Sequence, residues 1–480
     1  MDGVSSRRLR AFFTGSPISG YMEQVDVAVV GGGPAGTAAG RAAAERGADA
    51  VVIEKGVPRA DREELGPDST DAAGFLDYWV DIAGFDPEEL PDGVIQQILE
   101  TAEFVGPSQS ITLDSTGIDS SYPHFGFTFH RAKFDDWHRN VAEAAGAEYR
   151  VGTGVRSVES DPTGRPKHRL VLADGSEIDA TALVLADGPQ RQITMDVLDE
   201  YLPKDKLASE LLSPRRANHI AYQEYRKFPE AAFEPSKLRF WWGWIPGHTA
   251  YPWVFPNRDR VARVGMTMPI GLRLEDIADP SAYHLLRDED ERIPSPRVYI
   301  ERLLEEVYGD EFDVETDFPI VGTHFGKDEG TETYAISSTR PIDSPTKLNV
   351  AVVGGAMGAT SAFHEGGDHL ALRTGRLAGR LAGTDGLDSY NSRWKTACRS
   401  EILRNVCLAD LVRDFEPADW DRAFRIGHEM LRRQRGAVPS IGSAVSVGYS
   451  ALKLYLAYRY RKFRFRDDRY VQIAESDYRL

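Results

Sequence analysis

Residues Val25 to Glu54 read VDVAVVGGGPAGTAAGRAAAERGADAVVIE, and this stretch decides the fold. Val25, Val27, Val29 and Val30 make a short β-branched strand that runs into Gly31, Gly33 and Gly36, a G-x-G-x-x-G series extended by Gly40. The spacing predicts a tight turn at Gly31, close approach of backbone to a pyrophosphate at Gly33, and close packing at Gly36 of a helix from about Pro34 to Arg46. Such a helix points the positive end of its dipole at phosphate. Gly47 ends it, Ala50 to Ile53 supplies a second strand, and Glu54 at that strand's tip is placed to accept hydrogen bonds from ribose hydroxyls. Strand, helix, strand and acid in this order indicate dinucleotide binding, because an ordinary glycine-rich turn would not need the acid.

A chain of 480 residues has room for two or three domains. No apolar run approaches the ~20 residues that span a bilayer. The segment ahead of the first strand is too polar for a signal peptide and is expected to be a loose tail, with Met22 an alternative start. Cys398 and Cys407 cannot form a C-x-x-C pair, so neither a redox motif nor a metal cluster is expected, and a reducing cytoplasmic setting is. The net charge is −17 and only 12 of the 57 basic residues are lysine, a balance that suits a hydrated surface in high salt. It also disfavours nucleic acid as a partner.

Further along, residues 55 to 104 read as loop and helix. Ser110 to Leu113, Phe125 to Phe129 and Tyr149 to Val158 read as strands, with Arg131 opening an amphipathic helix that ends at Gly146. A hairpin turning at Asp174-Gly175 leads to the apolar strand Ala182 to Ala186, closed by Asp187-Gly188. After Pro189 the texture changes to aromatic-rich strands at His219 to Tyr225, Leu238 to Trp244, Tyr251 to Phe255 and Val261 to Met268, which predict an antiparallel sheet. Helices are expected around Ser281 to Arg287 and over Pro296 to Val307. The first texture then returns: a strand over Leu348 to Val353, a loop with Gly354, Gly355 and Gly358, and a helix over Gly366 to Leu381. The expected class is therefore α/β, with a Rossmann-like nucleotide domain split between 22–188 and 333–385, an inserted antiparallel-sheet substrate domain at 189–332, and a helical C-terminal region at 386–480. From Arg432 to Arg469 ten basic residues interleave with aromatics, a composition that suits either a membrane surface or packing on the acidic body.

From Val25 to about Gly383 this order resembles the geranylgeranyl reductase family of the FAD-dependent, monooxygenase-like superfamily. Arg131 before a helix, the Ala186-Asp187-Gly188 turn and the late glycine loop follow that superfamily's sequence, and Tyr251-Pro252-Trp253-Val254-Phe255-Pro256 resembles the family's Y-x-W-x-F-P substrate motif. The resemblance implies FAD, contacted by Gly31, Gly33, Ala35, Gly36, Glu54, Arg131, Val155, Asp187, Gly188, Gly355, Gly358, Gly367 and Asp368. It implies a lipophilic isoprenoid substrate, of the kind found in archaeal membrane lipids, held by Tyr251, Trp253, Phe255 and Pro256. A haloarchaeal-type member fits the charge. The chain departs from the family at Gly355, which stands for an aspartate, at Ala362, which stands for a proline, and at Glu365-Gly366, which inverts a Gly-Glu pair. No cysteine occurs between Lys55 and Cys398, so a thiol mechanism is excluded. His364 beside the late loop is the candidate proton donor to an alkene carbon. Two rival readings stay open: a flavin monooxygenase or halogenase, since Trp242-Gly243-Trp244-Ile245-Pro246 is one residue short of W-x-W-x-I-P, and an electron-transfer flavoprotein acting on a quinone. With no second G-x-G-x-x-G, the electrons come from an external donor, either ferredoxin or a reduced nicotinamide; peripheral contact with a membrane is the remaining expected partnership.

Overall fold

The computed structural model describes residues 23–57, 74–322, 330–434 and 441–480. Met22 and the expected loose tail lie outside them. The nucleotide-side sheet follows the order β8 (Glu148–Val151), β2 (Ala50–Glu54), β1 (Glu23–Val30), β11 (Glu177–Leu185), β10 (His168–Leu172), β9 (Val155–Ser160). Its inner strands β1, β2, β8 and β11 run parallel, and β17 (Val350–Val352) adds parallel to the second half of β11. Both faces of β1 and β2 are covered, which is why their sequences are nearly continuous apolar runs rather than alternating ones.

The helix Pro34–Ala44 begins with proline in its first turn and lies against the helix Asp368–Ala382 in parallel. A Cβ on Gly375 would stand 2.0 Å from the Ala35 carbonyl oxygen, one on Gly379 2.0 Å from that of Ala39, and one on Gly383 3.0 Å from that of Ala43. Small residues repeated every fourth position on both helices thus let two backbones touch along their length. The helices are parallel with Gly375 level with Ala35, so the late helix begins six residues, ~9 Å, beyond the start of the first, and both starts point the same way.

The second sheet has the order β16 (Thr331–Ser337), β12 (Asn218–Lys227), β15 (Val261–Pro269), β14 (Tyr251–Pro256), β13 (Lys237–Trp241), β5 (Thr101–Val105), β6 (Ser110–Leu113). It is antiparallel except where β13 meets β5. A small antiparallel sheet, β3 (Gly74–Leu76), β7 (Gly126–Phe129) and β4 (Ile95–Leu99), sits beside it. Several local expectations need correction. Residues 55 to 104 contain β3, β4 and β5 as well as the helix Asp77–Ala83; these strands are three to five residues long, β3 and β4 pairing with β7 and β5 lying between β6 and the distant β13, too short for alternation to mark them. The single strand expected over Tyr149 to Val158 is two, β8 and β9, parted at Gly152 with φ +71° and paired with different partners. The helix expected near Ser281 is one short turn, Pro280–Ala282.

Helices Tyr390–Val412, Pro417–Gln434 and Ile441–Arg464 form the C-terminal region. The chain then returns to the nucleotide side: Phe465, Tyr470, Ile473 and Tyr478 are buried in the same apolar core as β1 and β11, and the Tyr478 hydroxyl donates to the Asp343 carbonyl at 2.8 Å.

The helix contact makes a graded prediction. Gly379→Ala gains up to ~1 kcal/mol in helix propensity but forces the two backbones apart, an overpacking cost of about 1–3 kcal/mol. Denaturant unfolding should show a net loss for Gly379→Ala and a smaller one or none for Gly383→Ala; equal losses would contradict the contact geometry.

Candidate active site

A cavity of about 420 Å³ opens where the paired helix N-termini face the second sheet. On one side it is bounded by Gly33, Pro34 and Ala35 at the start of the first glycine helix, and by Gly367 and Asp368 at the start of its partner. The first-turn N–H groups of both helices, which have no carbonyl partner within the helix, are therefore aimed at the same space. Gly31 takes φ +100°, where a Cβ would lie 2.4 Å from the Ala186 carbonyl oxygen, and Gly36 would place a Cβ 1.8 Å from the Gly31 carbonyl oxygen. By contrast a Cβ at Gly33 would meet no protein atom within 4 Å, so the turn is tight on its inner side and open toward the cavity.

Glu54 sits at the tip of β2, accepting hydrogen bonds from the backbone N–H of Gly32 at 2.6 Å and of Gly56 at 2.7 Å. The carboxylate is thus oriented beside the glycine turn with acceptor capacity left over. Arg131 lines the cavity and pairs with Asp368 at 3.1 Å and Asp135 at 2.9 Å, fixing the helix Arg131–Ala144 to the start of the late helix. Gly188 and Gly355 also line the cavity, whereas Val155, at the start of β9, does not. Asp187 is turned inward: it accepts from the Thr194 backbone at 3.0 Å and hydroxyl at 2.5 Å, and burial pushes its carboxyl pKa up. Gly358, at φ +76°, packs on the Arg340 carbonyl and shapes the loop.

The opposite wall is aromatic. Tyr251, Trp253 and Phe255 alternate along β14 and all face the cavity, joined by Phe240 and Trp242. Trp253 lies over Gly265 of β15, whose missing side chain makes room for the indole. The tryptophan cluster is divided: Trp242 stacks on Tyr251 at 4.4 Å, while Trp241 and Trp244 pack in the core on the other side of the sheet. Pro256 ends β14, its carbonyl accepting from the Thr128 hydroxyl, and is not part of the lining. The buried indole N–H groups of Trp242 and Trp253 have no hydrogen-bond partner. The open side of Gly33 and the two helix ends suit a large ligand carrying phosphates, as FAD does.

Ionisable groups gather where the late loop crosses this wall. The His364 Nδ1 accepts from the Gly366 N–H at 3.2 Å, its ring stacks on Trp79 at 4.8 Å, and its Nε2 faces Glu401 at 3.8 Å. His369 stacks on the same indole at 4.4 Å and stands 3.6 Å from Glu401. Burial lowers the pKa of His369 and opposes ionisation of Glu401, yet the neighbouring His364 and His369 rings prevail at Glu401 and hold its carboxyl well below the usual range. Tyr78 at 3.1 Å, Asn405 at 2.9 Å and Arg404 all donate to it. Sequence reading missed Trp79, His369 and Glu401, which come from three separate segments. It also missed Arg191, a fully buried guanidinium that donates to Ala356, Asn218, Pro189 and Ser337 and so ties the late loop to β12 and β16. Its place directly after Gly188-Pro189-Gln190 was the only local signal in the sequence.

Residues 26–62 match the family described as FAD binding domain. The chain is 26% identical over 58% of its length to digeranylgeranylglycerophospholipid reductase 1 of Methanosphaera stadtmanae, covering 61% of that protein, under two-thirds of its length. It is 25% identical over 80% of its length to menaquinone reductase of Mycolicibacterium smegmatis, covering 83% of it. Among solved structures, a geranylgeranyl bacteriochlorophyll reductase-like protein from Thermoplasma acidophilum superposes with a TM-score of 0.65 at 20% identity, over 93% of this chain and 100% of that one. The family match falls on the strand, glycine turn and helix that border the cavity, so this part of the fold is an FAD-binding domain. The curated relatives it is similar to include further digeranylgeranylglycerophospholipid reductases, at 25% identity.

The depressed Glu401 carboxyl makes a prediction about pH. A carboxylate whose folded pKa lies below its unfolded value, about 4.3, adds stability that is fully present above that value and is lost as pH falls through it toward the folded pKa. Glu401→Gln should cost about 1–3 kcal/mol at pH 7, and the gap between variant and parent in thermal melts should narrow between pH 5 and pH 3. A gap that stays constant would contradict an ionised Glu401.

Proposed function

We propose that the protein uses bound FAD to saturate isoprenoid double bonds of the geranylgeranyl type, as found in archaeal membrane lipids. The observation that carries this reading is the cavity itself, with a cradle of two helix N-termini on one side and a wall of aromatic rings on the other. Reduced FAD, when bound, supplies hydride to one carbon of the alkene. In this reading Gly31, Gly33, Ala35, Gly36 and the late-loop residues Gly355, Gly367 and Asp368 hold the cofactor, with Glu54 on the ribose and Arg131 fixing the late helix in place. A branched hydrocarbon offers no polar handle, so its position must come from shape and apolar contact. Tyr251, Trp253 and Phe255 supply that shape, and the Tyr251 hydroxyl braces the wall by donating to the His364 carbonyl at 2.6 Å.

Trp253→Ala is the direct test of this wall. The variant should keep the bound-flavin spectrum and photoreduction, yet oxidation of the reduced protein by a polyprenyl substrate should slow by at least about tenfold, ~1.4 kcal/mol in the barrier. An unchanged rate would place the substrate elsewhere, and loss of flavin would make the ring a core residue.

Access to a membrane-borne substrate is assigned to helix Ile441–Arg464. Leu452, Tyr455, Leu456, Tyr460 and Phe463 recur at helical spacing and are each more than half exposed. Lys453, Arg459, Lys462 and Arg466 are exposed beside them, while Arg461 on another face pairs with Asp410 at 3.1 Å. An apolar stripe with basic flanks, on a chain of net charge −17, suits an anionic lipid surface. No helix among the described residues is long and apolar enough to cross a membrane. Replacing Leu452, Tyr455, Leu456 and Tyr460 together by serine should reduce sedimentation with phosphatidylglycerol vesicles several-fold without altering the flavin spectrum. Undiminished sedimentation would rule this face out. Truncation is not a usable test, because the residues beyond the helix are core.

A further inference from the structure

We propose that Glu365, supplied with protons by His219 and His248, is the acid that protonates the second carbon of the alkene; this inference rests on the reduction proposed above. Glu365 lines the cavity and is only 6% exposed. Its backbone takes φ +60°, a left-handed conformation unusual for a residue with a side chain, although glycine follows it immediately. What this conformation achieves is the placement of the carboxyl group between two strands of the second sheet. There the Thr267 hydroxyl donates to one oxygen at 2.6 Å, and the Nδ1 of His219 stands 2.5 Å from the other.

From that point a route leads outward. His219, on β12, is 2% exposed, and its ring meets that of His248 edge to face at 5.3 Å. His248 is exposed, in the turn between Trp244 and β14, so the three residues run from cavity to solvent. Arg413 and Asp414, beyond the end of the helix Tyr390–Val412, are the charged groups that face His248 besides His219 and Glu365. His364 is differently disposed: one ring nitrogen is engaged by Gly366, and the other faces the buried Glu401.

The chemistry balances. Addition of H⁻ and H⁺ converts C=C to CH–CH; the hydride is the flavin's contribution, and the proton leaves the carboxylic acid of Glu365 as its new C–H bond forms. Glu365 is left as a carboxylate, accepts a proton from His219, and His219 is recharged from solvent through His248. No further oxidant or reductant is needed in this half of the reaction.

Two measurements test the relay. In single-turnover reactions of photoreduced holoenzyme with a geranylgeranyl lipid, Glu365→Gln should slow alkene-dependent flavin oxidation by about a hundredfold while flavin content and photoreduction stay unchanged. His219→Gln should shift the pH profile and lower the solvent deuterium isotope effect. In the flavin-free protein, nitrogen-15 histidine spectra should show His219 and His248 titrating as a coupled pair, and Glu365→Gln should shift the His219 titration. A Glu365→Gln variant with parental rate and isotope effect overturns the relay, as do two histidines that titrate independently and ignore Glu365. If the parent itself reduces no alkene, the reading of function fails, and the histidine spectra still decide whether the three groups are linked.

Discussion

The arrangement depends on one close contact, the backbone-to-backbone packing of the helices Pro34–Ala44 and Asp368–Ala382. With carbonyl oxygens of Ala35 and Ala39 where side chains of residues 375 and 379 would otherwise begin, neither helix can tilt or slide without losing contact along its length. More than 300 residues separate the two helices in sequence, yet their first turns line the same cavity. The unpaired N–H groups of both first turns thus border one cavity, at two places along it. The fingerprint at Gly31 to Gly36 is half of a cradle whose other half is Gly367 and Asp368, and the Arg131–Asp368 pair fastens a third helix to it.

The cavity keeps its chemistries apart. Aromatic rings occupy β13 and β14, where side chains on one face of the sheet can form a continuous apolar wall, and almost every buried ionisable group near the cavity belongs to the late loop or to what the loop touches. This separation has a physical basis. A buried charge is tolerated only with several donors around it, and the loop can offer them because its backbone is irregular and it meets helix Tyr390–Val412 on one side and the second sheet on the other. The aromatic wall needs no such provision.

How much of this was readable in advance followed the range of the interactions. The turn at Gly31, the helix after it and the place of Glu54 are consequences of neighbours in sequence, and were legible. So was the common face of Tyr251, Trp253 and Phe255, because strand alternation is local. Strands β3, β4 and β5 were not, being short segments whose pairing with β7 and β13 has no local sequence signal. The groups around Glu401 were equally hidden, since Trp79, His364 and Glu401 share nothing in sequence and meet only through tertiary packing. The basic aromatic tail was ambiguous because its composition does not say which rings pack and which stay exposed. Phe465, Tyr470 and Tyr478 pack into the body, and Leu452, Tyr455 and Tyr460 do not.

The central claim is that this cradle and this wall bring a reduced flavin and an isoprenoid alkene together. Anaerobic incubation of the photoreduced holoprotein with a geranylgeranyl lipid, followed by mass spectrometry of the lipid, tests it most directly. The account predicts a mass gain of two hydrogens for each double bond reduced, in the absence of oxygen and in step with flavin oxidation. A lipid that is unchanged without oxygen, or that gains oxygen or halogen when oxygen is admitted, would contradict it.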